Sequence, residues 1–385
     1  MRIVVTGLIA TYPLGGVAWD YVQYVHGLVA LGHEVTYLED TGQWVYDPAA
    51  ETFTEDCRAN LAHLAAVLAP ARVPWAFRDP SGRVHGLDES TLRRVCRAAD
   101  LFLNVSGACW LRDEYRGHGR AAYVDTDPCY SQAKLAAADA GTADAHVRYS
   151  AAMIRSHDVF FSFAENIGRP DCPIPTAGLT WRPTRHPIVL ADWPERSPPA
   201  GGAYTTVMSW KIDVTSPVVG GRVYGGKDVE FARIADLPRH TRVPLEIALA
   251  GAAPRAALAA AGWRLVDARA VSATPGTYRD YLARSRGELS VAKEAYVATR
   301  SGWFSTRSAS YLALGRPVVI QDTGLAGHVP LGDAVLPFDD LAGARAALAT
   351  VERDHAWRCR RARALAAECF DAGRVLRRLL ADAGL

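Results

Sequence analysis

The stretch from Thr299 to Gly324, "TRSGWFSTRSASYLALGRPVVIQDTG", sets Ser305, Thr306, Arg307 and Ser308 side by side directly after Trp303 and Phe304. If "STRSASYLAL" begins a helix, these side chains crowd its first turn, where backbone N–H groups lack intrahelical partners and the helix dipole is positive. Three hydroxyls, a guanidinium fork and free N–H groups are suited to phosphate oxygens, and together they suggest a seat for a diphosphate. Ser and Thr are also preferred as plain N-caps. Arg307 is the member of the group that capping does not require.

Elements of alternating type must hold that helix start. "RIVVT" (2–6) is a short β-branched run, "GLIATYPLGG" (7–16) a Gly-containing loop, "VAWDYVQYVHGLVALG" (17–32) a helical pattern ending at glycine, and "HEVTYLE" (33–39) the next strand. This order is a βαβ unit and implies a parallel sheet. Gly15 and Gly16, between the first strand and the first helix, would let a substrate or phosphate approach the backbone closely.

The pattern continues with helices near 52–69 and 88–98 and strands at 100–106, 120–125 and 158–164. From 181 to 203 the chain turns into "WRPTRHPIVLADWPERSPPAGGA", which reads as a linker. Alternation then resumes with strands at 204–210, 245–251, 264–268, 287–293 and 316–321, and helices near 227–235, 253–261, 276–284 and 305–314. The tail from about 341 to 384 is helical in pattern. The expected fold is α/β, with two doubly wound Rossmann-like domains facing a cleft. In an open parallel sheet ligands collect at the carboxyl ends of the strands. The segment after "GELSVAK", leading into Ser305, lies at such an end.

The whole chain restricts the classes open to it. Its 385 residues suit two domains, and 49% hydrophobic with 22% charged residues is an ordinary globular composition. There is no apolar run of the ~20 residues that a membrane span needs. The start "MRIVVTGLIA" lacks the pattern of an export signal, so a cytoplasmic protein is expected. A net charge of +2 without a basic block argues against a nucleic-acid partner. The seven cysteines are scattered without a C-x-x-C pair, pointing to free thiols and no zinc site. Four of the 43 basic residues are Lys, and the Ala/Arg richness resembles the coding bias of a high-GC bacterial genome.

With these residues in view, the chain resembles the GT-B-fold nucleotide-sugar glycosyltransferases. The resemblance covers the whole chain in architecture and is concentrated at motif level in 285–327. Many members carry two Glu on the corresponding segment, one for the donor sugar and one for the ribose; counted back from Gly315, those places hold Gly302 and Ser310 here. The resemblance implies that Ser305, Thr306, Arg307 and Ser308 bind the donor diphosphate. It places Lys211 and Lys227 near a basic pair that relatives use on the same phosphates. It implies an acceptor domain at 1–185, a Pro-rich linker at 186–203, a donor domain at 204–360, and a final helix, about 361–385, crossing back to the first domain.

It further implies a co-substrate, a nucleoside-diphosphate sugar, with no metal or other cofactor; a small-molecule acceptor of the bacterial secondary-metabolite class, reached without a membrane, is expected. A monomer or homodimer is expected. An inverting enzyme also needs a general base. The loop after the first strand has no His, leaving three carboxylates as candidates: Asp20; Asp127, near Asp125 in "YVDTDPCY"; and Glu165, in "FSFAENIGRPD". Asp127 and Glu165 are preferred, and a retaining enzyme would need none of them. Tyr12, Trp19, Trp44, Trp110 and Tyr130 could stack on an acceptor. Two other readings fit the same fold: a nucleotide-sugar epimerase, and a non-catalytic sugar-nucleotide-binding partner of another transferase.

Overall fold

In the computed structural model, residues 1–117, 119–199, 201–211 and 216–385 are described. Short apolar runs, many of them β-branched, become buried strands. The first sheet contains β1 (Arg2–Thr6), β2 (Glu34–Glu39), β3 (Trp75–Arg78), β4 (Val84–Gly86), β5 (Leu101–Val105), β6 (Arg120–Asp125), β7 (Val159–Ser162) and β8 (Trp181–Pro183). Their order is β8-β7-β6-β5-β1-β2-β3-β4, parallel except for the β3–β4 hairpin at one edge. The second contains β9 (Tyr204–Ser209), β10 (Leu245–Ala250), β11 (Arg264–Asp267), β12 (Gly287–Ser290), β13 (Val318–Gln321) and β14 (Val335–Phe338). It runs β11-β10-β9-β12-β13-β14, all parallel. In both sheets the order reverses beside the first strand, the switch point at which α/β sheets open a crevice at their carboxyl ends.

Three differences from the sequence reading have physical causes. The first helix is Gly15–Ala30, so Gly15 and Gly16 open the helix rather than close the loop. The segment at 52–54 is a strand paired with Val45–Asp47, and its helix is confined to Arg58–Leu68. The start of the Pro-rich segment is packed: β8 completes the first sheet, Ile188 bridges to Asp371, and Trp193 is 0% exposed, its ring 4.7 Å from that of Trp19. Large apolar side chains override the linker composition there, and the mostly exposed stretch begins at Pro194.

The helical tail divides into Leu341–Arg353, His355–Cys369 and Ala372–Asp382. The last packs on Gly15–Ala30. Gly27 permits this approach, because a Cβ there would lie 2.5 Å from Leu376 Cδ1 and 3.0 Å from Ala372 Cβ. One continuous apolar core joins β1 and the Gly15 helix to Tyr278 and Tyr281 of the second half and to Leu376 and Leu379 of the tail. Among the described residues no helix is long and apolar enough to cross a membrane.

Candidate functional site

The two carboxyl edges meet where the helix Thr306–Ala313 begins. Ser305 occupies its N-cap position with extended backbone, yet makes no side-chain cap hydrogen bond. The Ser308 hydroxyl is fully buried and has no hydrogen-bond partner. Both serines line a small cavity with Ser290, Ala292, Trp303 and Gln321. A buried, unsatisfied hydroxyl is costly unless something comes to accept from it or donate to it. Its volume, about 10 Å³, is that of a single water site at most.

Arg307 does not face this cavity with a free fork. Its Nε donates to Glu288 Oε1 at 2.7 Å, Nη1 donates to the Val207 carbonyl at 2.6 Å, and Nη2 donates to Ser290 Oγ. Glu288 is wholly buried. Burial works against the guanidinium charge, but Glu288, with Tyr278 and Tyr311, outweighs it and holds the Arg307 pKa above its usual value. Arg307 therefore anchors the helix start to β9 and β12 and contributes positive charge at short range.

Asp20, one turn into the Gly15 helix, lies among Thr306, Asp127, Arg307 and Lys227. Burial pushes its pKa up to about 7, with the Thr306 hydroxyl pulling the other way. Asp127, beyond the end of β6, is paired with Lys293 at 2.5 Å and accepts from the Tyr296 hydroxyl. Packing around its base opposes its charge, but Lys293 and then Tyr296 hold its carboxyl below the ordinary range, although the side chain stays more than half exposed. Asp125 is buried beneath it, bound by Ser131, Gln132 and Ser162. Lys227 makes no ion pair among the described residues. Burial, then Arg307 and Lys293, lower its pKa to about 7.

The remaining candidates stand apart from this cluster. Glu165 is clamped by Arg185 at 2.6 and 2.9 Å and faces His328 at 3.3 Å. Lys211 is 68% exposed and lies 3.7 Å from Asp228. Gly15 and Gly16 are covered: their N–H groups donate to the Ser272 carbonyl at 2.6 Å and the Ser272 hydroxyl at 3.3 Å. Together with Trp19 Nε1 donating to Pro275 O and Trp303 Nε1 donating to Thr126 O, these bonds close the two halves on each other. Trp19 is core, and Tyr130 lies under the Lys293 ammonium at 4.5 Å. Trp44 and Trp110 are exposed, whereas Tyr12 packs beside Tyr46 and Phe53.

Sequence reasoning missed Lys293, Tyr296 and Glu288 as members of the site. Lys293 did carry a signal, since it ends an apolar run at the carboxyl edge of β12. Glu288 lies inside that run, where a charged residue in a buried strand calls for a partner.

No protein-family model matches the chain, and no curated protein matches it. Solved structures do match over its full length. An alpha-glucosyltransferase in complex with UDP and a mismatched 13-mer DNA is 10% identical, covering 100% of this chain and 98% of that one at a TM-score of 0.58. HepE of Anabaena in complex with UDP is 13% identical, covering 99% and 98% at 0.56. AviGT4, a glycosyltransferase involved in avilamycin A biosynthesis, is 15% identical, covering 100% and 97% at 0.50. The fold of this chain is that of the GT-B glycosyltransferases, two Rossmann-like domains about a cleft.

Proposed function

We propose that this protein is a glycosyltransferase that moves a hexose from a nucleoside-diphosphate sugar to a small-molecule acceptor, in bacterial secondary metabolism. The observation that carries the reading is the uncapped start of the Thr306 helix, with the buried, unpartnered Ser308 hydroxyl lining a small cavity at the carboxyl edge of the second sheet. First-turn N–H groups and Ser305, Thr306 and Ser308 would take the diphosphate. Lys227 and Lys293 would neutralise the charge that builds on it as the glycosidic bond breaks. No metal is assigned a part in that neutralisation. The cavity is far too small for a diphosphate, so the side chains that line it, Trp303 among them, must move to admit a donor.

For an inverting transfer, Asp20 is the carboxylate best suited to act as base. It belongs to the first half, lies beside Thr306 and has a pKa near 7, which suits proton abstraction at neutral pH. Asp127 is committed to Lys293 and Tyr296, and Glu165 to Arg185. The exposed Trp44 and Trp110 offer apolar faces for an acceptor. DNA is bound by one structural relative, but a net charge of +2 without a basic tract favours a small acceptor here.

The test is thermal stabilisation by a panel of nucleoside diphosphates and their sugars, followed by donor turnover with and without acceptors. Stabilisation by one base and acceptor-dependent release of the diphosphate support the transferase. Turnover without an acceptor indicates an epimerase, binding without turnover an accessory protein, and no stabilisation by any member overturns the donor site.

A further inference from the structure

A second cluster of reactive side chains lies at the outer edge of the first sheet, apart from the charges around Asp20. Cys57 stands immediately before the helix Arg58–Leu68, Asp79 opens the turn of the β3–β4 hairpin, and His85 lies in β4. Asp79 is fixed in orientation: its Oδ1 accepts from Ser81 Oγ at 2.6 Å and from the Arg83 N–H at 3.0 Å. Its Oδ2 lies 2.9 Å from His85 Nε2, and that nitrogen is 4.0 Å from Cys57 Sγ. One ligand atom from each of the three lies within 4.8 Å of the other two.

We propose that Cys57, Asp79 and His85 bind a divalent cation of zinc type. Thiolate, imidazole and carboxylate together select zinc over magnesium or calcium, which take oxygen ligands. With metal–ligand distances of about 2.0–2.3 Å in a tetrahedron, neighbouring donor atoms sit roughly 3.3–3.6 Å apart. The sulfur therefore has to approach the imidazole by about 0.4 Å and the carboxylate, which lies within 4.8 Å of it, by up to about 1.2 Å, while Asp79 Oδ2 and His85 Nε2 draw apart by about 0.4 Å, movements that rotation of the three side chains can supply. On binding, the Cys57 S–H bond breaks, its proton goes to solvent and the sulfur lone pair goes to the metal; the Nε2–H that His85 donates to Asp79 is also given up, the neutral imidazole taking the proton on Nδ1 and an imidazolium releasing it to solvent, so that Nε2 and the carboxylate each offer a lone pair. Asp79 and His85 side chains are 14% and 19% exposed, leaving the fourth position to water.

The ion ties the start of the Arg58–Leu68 helix to the edge hairpin. That helix carries Asn60, whose Nδ2 donates to the Ala10 carbonyl at 2.8 Å and to the Tyr46 carbonyl at 3.0 Å. The cation thus steadies, through one helix, the loop that follows β1.

The experiment is cobalt(II) titration of the chelator-stripped full-length protein under reducing conditions, followed by zinc displacement. One equivalent producing thiolate-to-cobalt charge-transfer absorption is expected, absent in Cys57→Ser and His85→Ala and retained in Cys359→Ser. Zinc should also raise the melting temperature of the wild type and leave that of His85→Ala unchanged. Wild type without the absorption, or absorption that survives both Cys57→Ser and His85→Ala, overturns the site. Melting of each variant in chelator shows that it is folded, and the wild-type titration decides the question even where one is not.

Discussion

Lys293 and Asp127 form a 2.5 Å ion pair across the boundary between the halves, each from the segment that follows the carboxyl end of its own strand. The pair is asymmetric: Lys293 is 12% exposed, lying over the rings of Tyr130 and Tyr296, while Asp127 is 58% exposed. Asp127 occupies the cation that a diphosphate would need. Asp127→Asn should cost stability by about 1 kcal/mol at most, because a half-exposed carboxylate gains little from pairing. It should tighten binding of the correct nucleoside diphosphate by roughly fivefold, by removing a competing negative charge of similar energy. Calorimetric titration measures this, and weaker binding in the variant would count against Lys293 as a phosphate ligand.

Ser308 and Arg307 are neighbours with opposite expected behaviour. Ser308→Ala removes a hydroxyl that has no partner, so melting temperature should hold or rise slightly. Nucleoside-diphosphate affinity should fall by roughly 10- to 150-fold, the equivalent of about 1.5–3 kcal/mol for a hydrogen bond to a charged group. Arg307→Ala instead strands the buried Glu288 and should cost about 3–5 kcal/mol in stability. Urea unfolding of the two apo variants separates the roles; an Arg307→Ala protein as stable as wild type would show that the Glu288 pair is dispensable.

The fold was legible where a strand is an apolar run buried on both faces, as in "RIVVT" and "LEIALA". The short strands Val84–Gly86, Trp181–Pro183 and Val335–Phe338 were not, since each contains a Gly or Pro and owes its place to neighbouring strands. The helix start at Ser305 was legible because its polar residues are contiguous. Their partners were not, because Lys293 meets Asp127 from 166 residues away and Trp303 meets Thr126 from 177. Arg307 was read as a free fork because nothing local reveals that Glu288, one strand earlier, occupies it.

Asp20 predicts a pH dependence with a definite sign. A base with a pKa of about 7 must lose its proton to act, so turnover should rise as pH increases through 7. Asp20→Asn should lose that limb and lower kcat by about 10²–10⁴. The stability effect runs the other way. The native carboxyl holds its proton to higher pH than the unfolded one, so its contribution is present below about pH 4 and lost as pH rises through about 7. The variant should therefore gain stability over wild type at pH 8 and not at pH 4. A pH–rate profile unchanged in Asp20→Asn would remove Asp20 as the base.

Gly15 is a point of close backbone approach between the halves. A Cβ there would fall 2.1 Å from the Thr274 carbonyl oxygen, which is backbone and cannot rotate away. Gly15 starts a helix with ordinary backbone angles, so alanine is locally welcome and even favoured by helix propensity. The conflict is therefore with closure alone. Gly15→Ala should still fold, with a lower melting temperature because the apolar core shared by the halves is loosened, while the Gly15 N–H to Ser272 bond breaks and the halves are held apart. Small-angle scattering should give a larger radius of gyration than for wild type, in the presence of nucleoside diphosphate as well as without it. Turnover should fall more than diphosphate affinity does, because the uncapped helix start belongs to one half and Asp20 to the other. Wild-type turnover in this variant would mean that the closed arrangement is not the one in which transfer occurs.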